Sequence, residues 1–294
     1  MAKDLRKTTK PLVVICGPTA SGKTSLAIDL AQQYGGEIIC ADSRTVYKGM
    51  DIGTAKPTKA EQALVPHWGL DLVAPDERFT AADFKNYAEQ KITEIRARGN
   101  IPFLVGGTGL YVDAVIFEYQ FDGDINTTLR NKLEAMTIED LQKHCVENNI
   151  DLPENSRNKR YLVRAIERKR VGNKRRETPI ENCIVVGIAT DRDILRERIA
   201  RRSEQLFADG VVGEARILGK QYGWEHEAMT GNIYRIVRDV LDGTISLADA
   251  KIKFEVMDWR LAKRQLTWLR RNNFVQWMSL HEAKKYLQSV LTVL

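Results

Sequence analysis

The stretch Gly17-Pro18-Thr19-Ala20-Ser21-Gly22-Lys23-Thr24 follows the apolar run Leu12–Cys16 and opens a helical pattern, Ser25–Tyr34. It matches GxxxxGK[ST] in the strand-to-helix setting that gives the motif its mechanism. Glycines let backbone amides wrap phosphate oxygens, the helix N-terminus adds partial positive charge, Lys23 reaches the outer phosphate, and the Thr24 hydroxyl is placed to hold Mg2+. A chain with this loop near its start is constrained to a parallel sheet. Further β-branched runs at Glu37–Ala41, Ile101–Val105 and Ile184–Ala189, with a helical pattern at Ala81–Arg98, extend a β-α-β order. The fold class expected is α/β: a P-loop core with a parallel sheet flanked by helices, plus an inserted helical subdomain.

The insert is read from a change of pattern after Tyr111. Residues 122–180 contain no convincing strand, and the second half is basic: Arg157 to Arg176 holds ten Lys or Arg and one acid, Glu167. Residues 1–121 and 181–294 then form the catalytic core, ending in helical patterns at Asp193–Gly219, Ile233–Leu241 and Leu247–Arg271. The whole chain carries 45 Lys and Arg against 39 Asp and Glu, net +6, a lean towards polyanionic partners. Arg157, Arg160, Arg164 and Arg168 recur at helical spacing and are expected along one helix face against RNA phosphates. No apolar stretch approaches the roughly 20 residues needed to span a bilayer, and no export signal is read. The scattered cysteines Cys16, Cys40, Cys145 and Cys183 suit a reducing, cytoplasmic setting.

Asp42-Ser43 follows the second strand and is delivered to the carboxyl edge of the sheet, where open α/β folds bind ligands. A carboxylate there can position Mg2+, accept a hydroxyl proton in a kinase, or act as general base towards an amine; it can also simply cap a loop. The loop alone specifies a di- or triphosphate, not which one.

With Gly17–Thr24 and Asp42-Ser43, the segments Tyr47-Lys48-Gly49-Met50-Asp51-Ile52-Gly53-Thr54-Ala55-Lys56-Pro57, Ala81-Ala82-Asp83-Phe84, Val105-Gly106-Gly107-Thr108-Gly109-Leu110-Tyr111, Arg164-Ala165-Ile166-Glu167 and Ala262-Lys263-Arg264-Gln265-Leu266-Thr267-Trp268 closely resemble the bacterial tRNA dimethylallyltransferases. The likeness covers nearly the whole chain. It implies transfer of a dimethylallyl group from dimethylallyl diphosphate to the exocyclic amine of the adenosine immediately 3′ of the tRNA anticodon, releasing pyrophosphate. It implies Asp42 as base, Lys23 and Arg202 as catalytic cations on the diphosphate, and Mg2+ as cofactor. Residues implied to contact tRNA are Asp42, Ser43, Arg44, Thr45, Thr108, Arg130, Arg160, Arg164, Arg235, Lys263, Arg264 and Arg270. A monomer is expected, and Trp268 reads as packing. The chain departs from the resembling pattern at Ile233, at Asp258-Trp259 in place of Thr-Arg, and at Tyr161 in place of Arg. Competing readings are an ATP-dependent phosphotransferase, an isopentenyltransferase acting on free AMP, and an RNA-binding module with a vestigial loop.

Overall fold

The computed structural model describes residues 10–121, 127–153, 155–169 and 175–293. The chain divides into two compact units, Met1–Ile116 with Thr178–Leu294, and Phe117–Glu177. The division falls at 117 and 177 rather than at 122 and 180.

In the larger unit the chain order is β1 (Leu12–Cys16), α1 (Lys23–Tyr34), β2 (Gly36–Cys40), α2 (Lys59–Leu64), β3 (His67–Trp68), α3 (Ala81–Ala97), β4 (Ile101–Gly106) and α4 (Gly109–Ile116). Three helices of the smaller unit follow: α5 (Thr127–Ala135), α6 (Ile138–Glu147) and α7 (Lys159–Lys169). The larger unit resumes with β5 (Cys183–Ile188), α8 (Arg192–Ala208), α9 (Val211–Tyr222), a 3-10 turn at Glu227–Thr230, α10 (Asn232–Leu241), α11 (Leu247–Leu269), β6 (Gln276–Met278) and α12 (Leu280–Leu291).

Among the described residues, six strands form one parallel sheet in the order β3-β2-β4-β1-β5-β6. β1 is buried along its whole length because helices cover both faces, so its sequence is a continuous apolar run. β1 lies centrally between β4 and β5, and the loops leaving β1, β2 and β4 converge at one sheet edge. Under the sheet, α1 and α12 pack through Leu26, Leu30, Leu287 and Leu291. A second cluster joins Tyr47 and Met50 to α9, α10 and α11 through Leu218, Ile233, Tyr234, Ile236 and Phe254.

One expectation is corrected, and two features are added. The helical run Asp193–Gly219 is two helices: the chain turns at Gly210, whose φ of 94° suits glycine, and α9 starts anew. The edge strands β3 and β6, of two and three residues, were not anticipated. Ile233 and Ile236 are buried core residues, so that departure is a matter of packing.

The smaller unit is helical, with Leu133, Leu141, Cys145, Leu162, Val163 and Ile166 as its core. Arg157 precedes α7 and is not on its face, which corrects the expected four-residue stripe. Glu167 engages two of the basic residues: Arg130 Nη2 lies 2.8 Å and Arg164 Nη1 3.1 Å from the same Oε2. Arg160 and Tyr161 are exposed, and the side chain of Arg168 lies outside the described residues.

Candidate active site

The phosphate loop is held from behind by two helices distant in sequence. On α8, Arg202 Nη1 donates to Thr19 Oγ1 at 2.5 Å, and Arg198 Nη1 donates to the carbonyls of Ser21 at 3.1 Å and Ala20 at 3.4 Å. On α11, Gln265 Oε1 accepts the Thr19 amide at 2.8 Å, and Asp258 Oδ2 accepts from Thr19 Oγ1 at 3.4 Å. Asp258 is 3% exposed. The sequence reading missed Arg198, Asp258 and Gln265. The usable signal was the seven-residue spacing of Asp258 and Gln265, which puts both on one helix face with buried Ala262 between.

Asp258, a departure from the resembling pattern, therefore touches the Gly17–Thr24 loop itself. Its neighbour Trp259 sits under Arg192, Arg196 and Lys263, with cation-to-ring distances of 5.6, 4.8 and 6.0 Å.

Close approach of α11 explains the glycines after β4. A Cβ on Gly107 would stand 2.5 Å from Gln265 Nε2, and one on Gly109 would stand 2.1 Å from the Trp268 ring. Trp268 Nε1 donates to Asp113 Oδ2 at 2.7 Å, so this tryptophan is packing. The Gly-rich turn and the AKRQ-TW helix are thus two halves of one contact.

Lys23 Nζ donates to the Pro18 carbonyl at 3.1 Å. Burial pushes its ammonium down to about 8, the nearby Asp42 charge opposing that fall and Arg202 adding to it. Asp42 follows β2, and its Oδ1 accepts the Arg44 amide at 2.8 Å, fixing a tight turn. Ser43 N donates to Thr108 Oγ1 at 3.1 Å, tying the β2 loop to the β4 loop. Arg44 Nη1 donates to the Glu227 carbonyl at 2.8 Å, and Thr45 Oγ1 to the Asp42 carbonyl at 3.4 Å. The larger unit so brings together Lys23, Asp42, Arg202, Thr19, Ser43 and Thr108.

Arg235 on α10 and Lys263 and Arg264 on α11 are exposed, as is Arg270 at the end of α11. Arg130, Arg160 and Arg164 belong to the smaller unit. Thr24 stands in the first turn of α1. Among the described residues no group of three His, Cys, Asp or Glu is arranged to hold a metal ion. A hydroxyl at this position suits Mg2+ held mainly by substrate oxygens and water. Ser21 Oγ and Arg202 Nε are buried without a hydrogen-bond partner, polar atoms that fit a loop awaiting an oxyanion.

The DIGTAK segment proves to be a structural knot. Glu214 on α9 accepts the amides of Asp51 and Gly53 at 2.8 Å and of Ile52 at 2.7 Å, and the Tyr234 hydroxyl at 2.7 Å. Lys56, with a side chain 3% exposed, lies 2.6 Å from Asp51 and 2.7 Å from Asp71.

The family described as IPP transferase matches residues 45–272, and that described as isopentenyl transferase matches residues 10–70. A tRNA dimethylallyltransferase of Lactococcus lactis is 42% identical over 269 residues, covering 90% of each chain. The chain belongs to the tRNA dimethylallyltransferase family. A second member, from Halalkalibacterium halodurans, is 38% identical over 286 residues, covering 92% of this chain and 91% of its own. The crystal structure of the tRNA isopentenylpyrophosphate transferase of Bacillus halodurans superposes with a TM-score of 0.73 at 36% identity, covering 96% of this chain and 97% of that one. A eukaryotic dimethylallyltransferase crystallised acting on tRNA shares the fold, with a TM-score of 0.78 at 22% identity. Among the described residues, no helix is long and apolar enough to cross a membrane.

Because Lys23 is cationic only below about 8 in the free protein, its contribution to anion binding is full at lower pH and lost as pH rises through that value. The ratio of pyrophosphate affinities of the parent and Lys23→Ala, from which the ligand's own ionisation cancels, is expected to be constant below about pH 7.5 and to shrink towards tenfold per unit above about 8. Calorimetric titration of both proteins across that range checks it; a ratio unchanged to about pH 9.5 would remove Lys23 from the anion site.

Proposed function

We propose that this chain transfers a dimethylallyl group from dimethylallyl diphosphate to the exocyclic amine of the adenosine immediately 3′ of the tRNA anticodon. The observation that carries this reading is the juxtaposition at one sheet edge of an anion-binding loop backed by Arg202 with a carboxylate, Asp42, whose charge acts on Lys23. The adenine amine is a weak nucleophile because its lone pair is delocalised into the ring. It attacks the carbon bearing the diphosphate, a C–N bond forms, and the C–O bond breaks with its electron pair leaving on pyrophosphate. Asp42 takes the amine proton. Lys23, the loop amides and Arg202 meet the growing charge on the leaving oxygens. Thr24 would hold Mg2+, which when bound neutralises diphosphate charge.

The target base lies in a single-stranded loop, where a base is extruded at low cost. Exposed cations on α11 and α7 supply sequence-independent attraction to the backbone. We place the protein in the cytoplasm as a monomer, where tRNA and the soluble diphosphate are both available.

The deciding experiment mixes the protein with dimethylallyl diphosphate, Mg2+ and unmodified tRNA, digests the RNA, and measures prenylated adenosine by mass spectrometry. Prenylation of AMP at a comparable rate, or transfer of a labelled γ-phosphate from ATP, would replace this reading. Arg160→Ala tests the basic insert: it is expected to reduce the slope of log K for tRNA against log salt by somewhat under about one unit, with diphosphate binding retained. An unchanged slope would leave Arg160 as a solvated side chain.

A further inference from the structure

Thr19 is the most heavily engaged residue of the phosphate loop. Its hydroxyl lies between Arg202 Nη1 at 2.5 Å and Asp258 Oδ2 at 3.4 Å, while its amide is taken by Gln265. A carboxylate is an unusual group to bury behind a loop built to attract anions. Asp258 is 3% exposed, and the charged groups acting on it are Arg202, Lys23 and Asp42. A serine or threonine hydroxyl would satisfy Thr19 as well, without charge.

We propose that Asp258 is a resident negative charge in the diphosphate pocket, which weakens the hold on pyrophosphate and so sets how readily this product leaves. This rests on the reading of Gly17–Thr24 as the site of the donor's diphosphate. Two cations, Lys23 and Arg202, attract a multiply charged product; a fixed like charge behind the same loop offsets part of that attraction. The offset scales with the charge of the ligand, so it acts more on pyrophosphate than on orthophosphate. Burial pushes the Asp258 carboxyl up, while Arg202, the Thr19 hydroxyl and Lys23 favour its charged form. Arg202 and Asp258 share the Thr19 hydroxyl, which accepts from the first and donates to the second.

The test is calorimetric binding of inorganic pyrophosphate and of orthophosphate, with Mg2+, to the full chain and to Asp258→Asn, Asp258→Thr and Lys23→Ala. Asn keeps the acceptor for Thr19 and the shape; Thr keeps a hydroxyl oxygen in a smaller side chain. Both are expected to bind pyrophosphate about tenfold tighter or more, with a smaller gain for orthophosphate, and pyrophosphate should inhibit prenyl transfer correspondingly more strongly. A merely structural role for Asp258 cannot produce tighter binding of one anion over another. Unchanged or weaker pyrophosphate binding in either variant that melts as the parent does would overturn the proposal, as would an equal gain for both anions. Should one variant fail to fold, the other still decides. Intact pyrophosphate binding in Lys23→Ala would instead sink the donor-site reading on which this rests.

Discussion

Asp42→Asn is expected to lower the single-turnover rate of prenyl transfer by about 10²-fold or more, equivalent to roughly 3 kcal/mol of barrier. The substitution is clean because Asn retains an Oδ1 to accept the Arg44 amide, which the wild-type carboxylate does at 2.8 Å. The loop turn should survive, and with it the Ser43 to Thr108 link. What disappears is the basicity. A second consequence is electrostatic: the Asp42 charge opposes the fall of the Lys23 ammonium, so its removal should move the loss of pyrophosphate affinity to lower pH. Rapid-quench measurement at saturating tRNA and donor reads the first effect, and binding titrations against pH read the second. A near-normal rate would mean that another group or water takes the proton, and Asp42 would be left with a positioning role.

The largest effect on stability is expected at Glu214, remote from the chemistry. Its carboxylate accepts three consecutive backbone amides and a buried tyrosine hydroxyl. Hydrogen bonds to a charged acceptor contribute roughly 1.5–3 kcal/mol each when little water competes, and those here are partly open to solvent. Glu214→Ala is therefore expected to cost about 3–5 kcal/mol, seen as a lower urea midpoint with little change in slope. Glu214→Gln keeps one acceptor oxygen but turns an NH2 towards amide donors, so it should fall between. A loss under about 1 kcal/mol for the alanine variant would show that the DIGTAK segment is held by Lys56 and its two carboxylates instead.

The fold was legible wherever its signal was local. β1 was readable to the residue, because an apolar run bounded by a phosphate loop needs no distant information. The two-residue β3 and three-residue β6 are too short to show any alternation, and only the neighbouring strand makes them strands. Lys23 and Asp42 were visible because their motifs sit at strand ends; Asp258 and Gln265 were not, since nothing near them in sequence names Thr19 as their partner. The basic insert shows a partner that charge spacing alone leaves out. Helical spacing places Arg164 on a basic stripe but says nothing of Glu167, whose carboxylate engages both Arg164 and Arg130. The DIGTAK segment was recognisable as a pattern long before it had a cause, and its cause is Glu214 together with Lys56, Asp51 and Asp71.

The bonds that hold Thr19 span 239 and 246 residues of chain. On a ribosome, where the N-terminal end emerges first at about 5–20 residues per second, the loop is made before either helix that supports it. Until α11 is translated the glycine-rich turn lacks Asp258 and Gln265, and Thr19 is without two of its partners. The delay between first emergence and final assembly of the loop is therefore set by the pace of translation, in which tRNAs themselves take part.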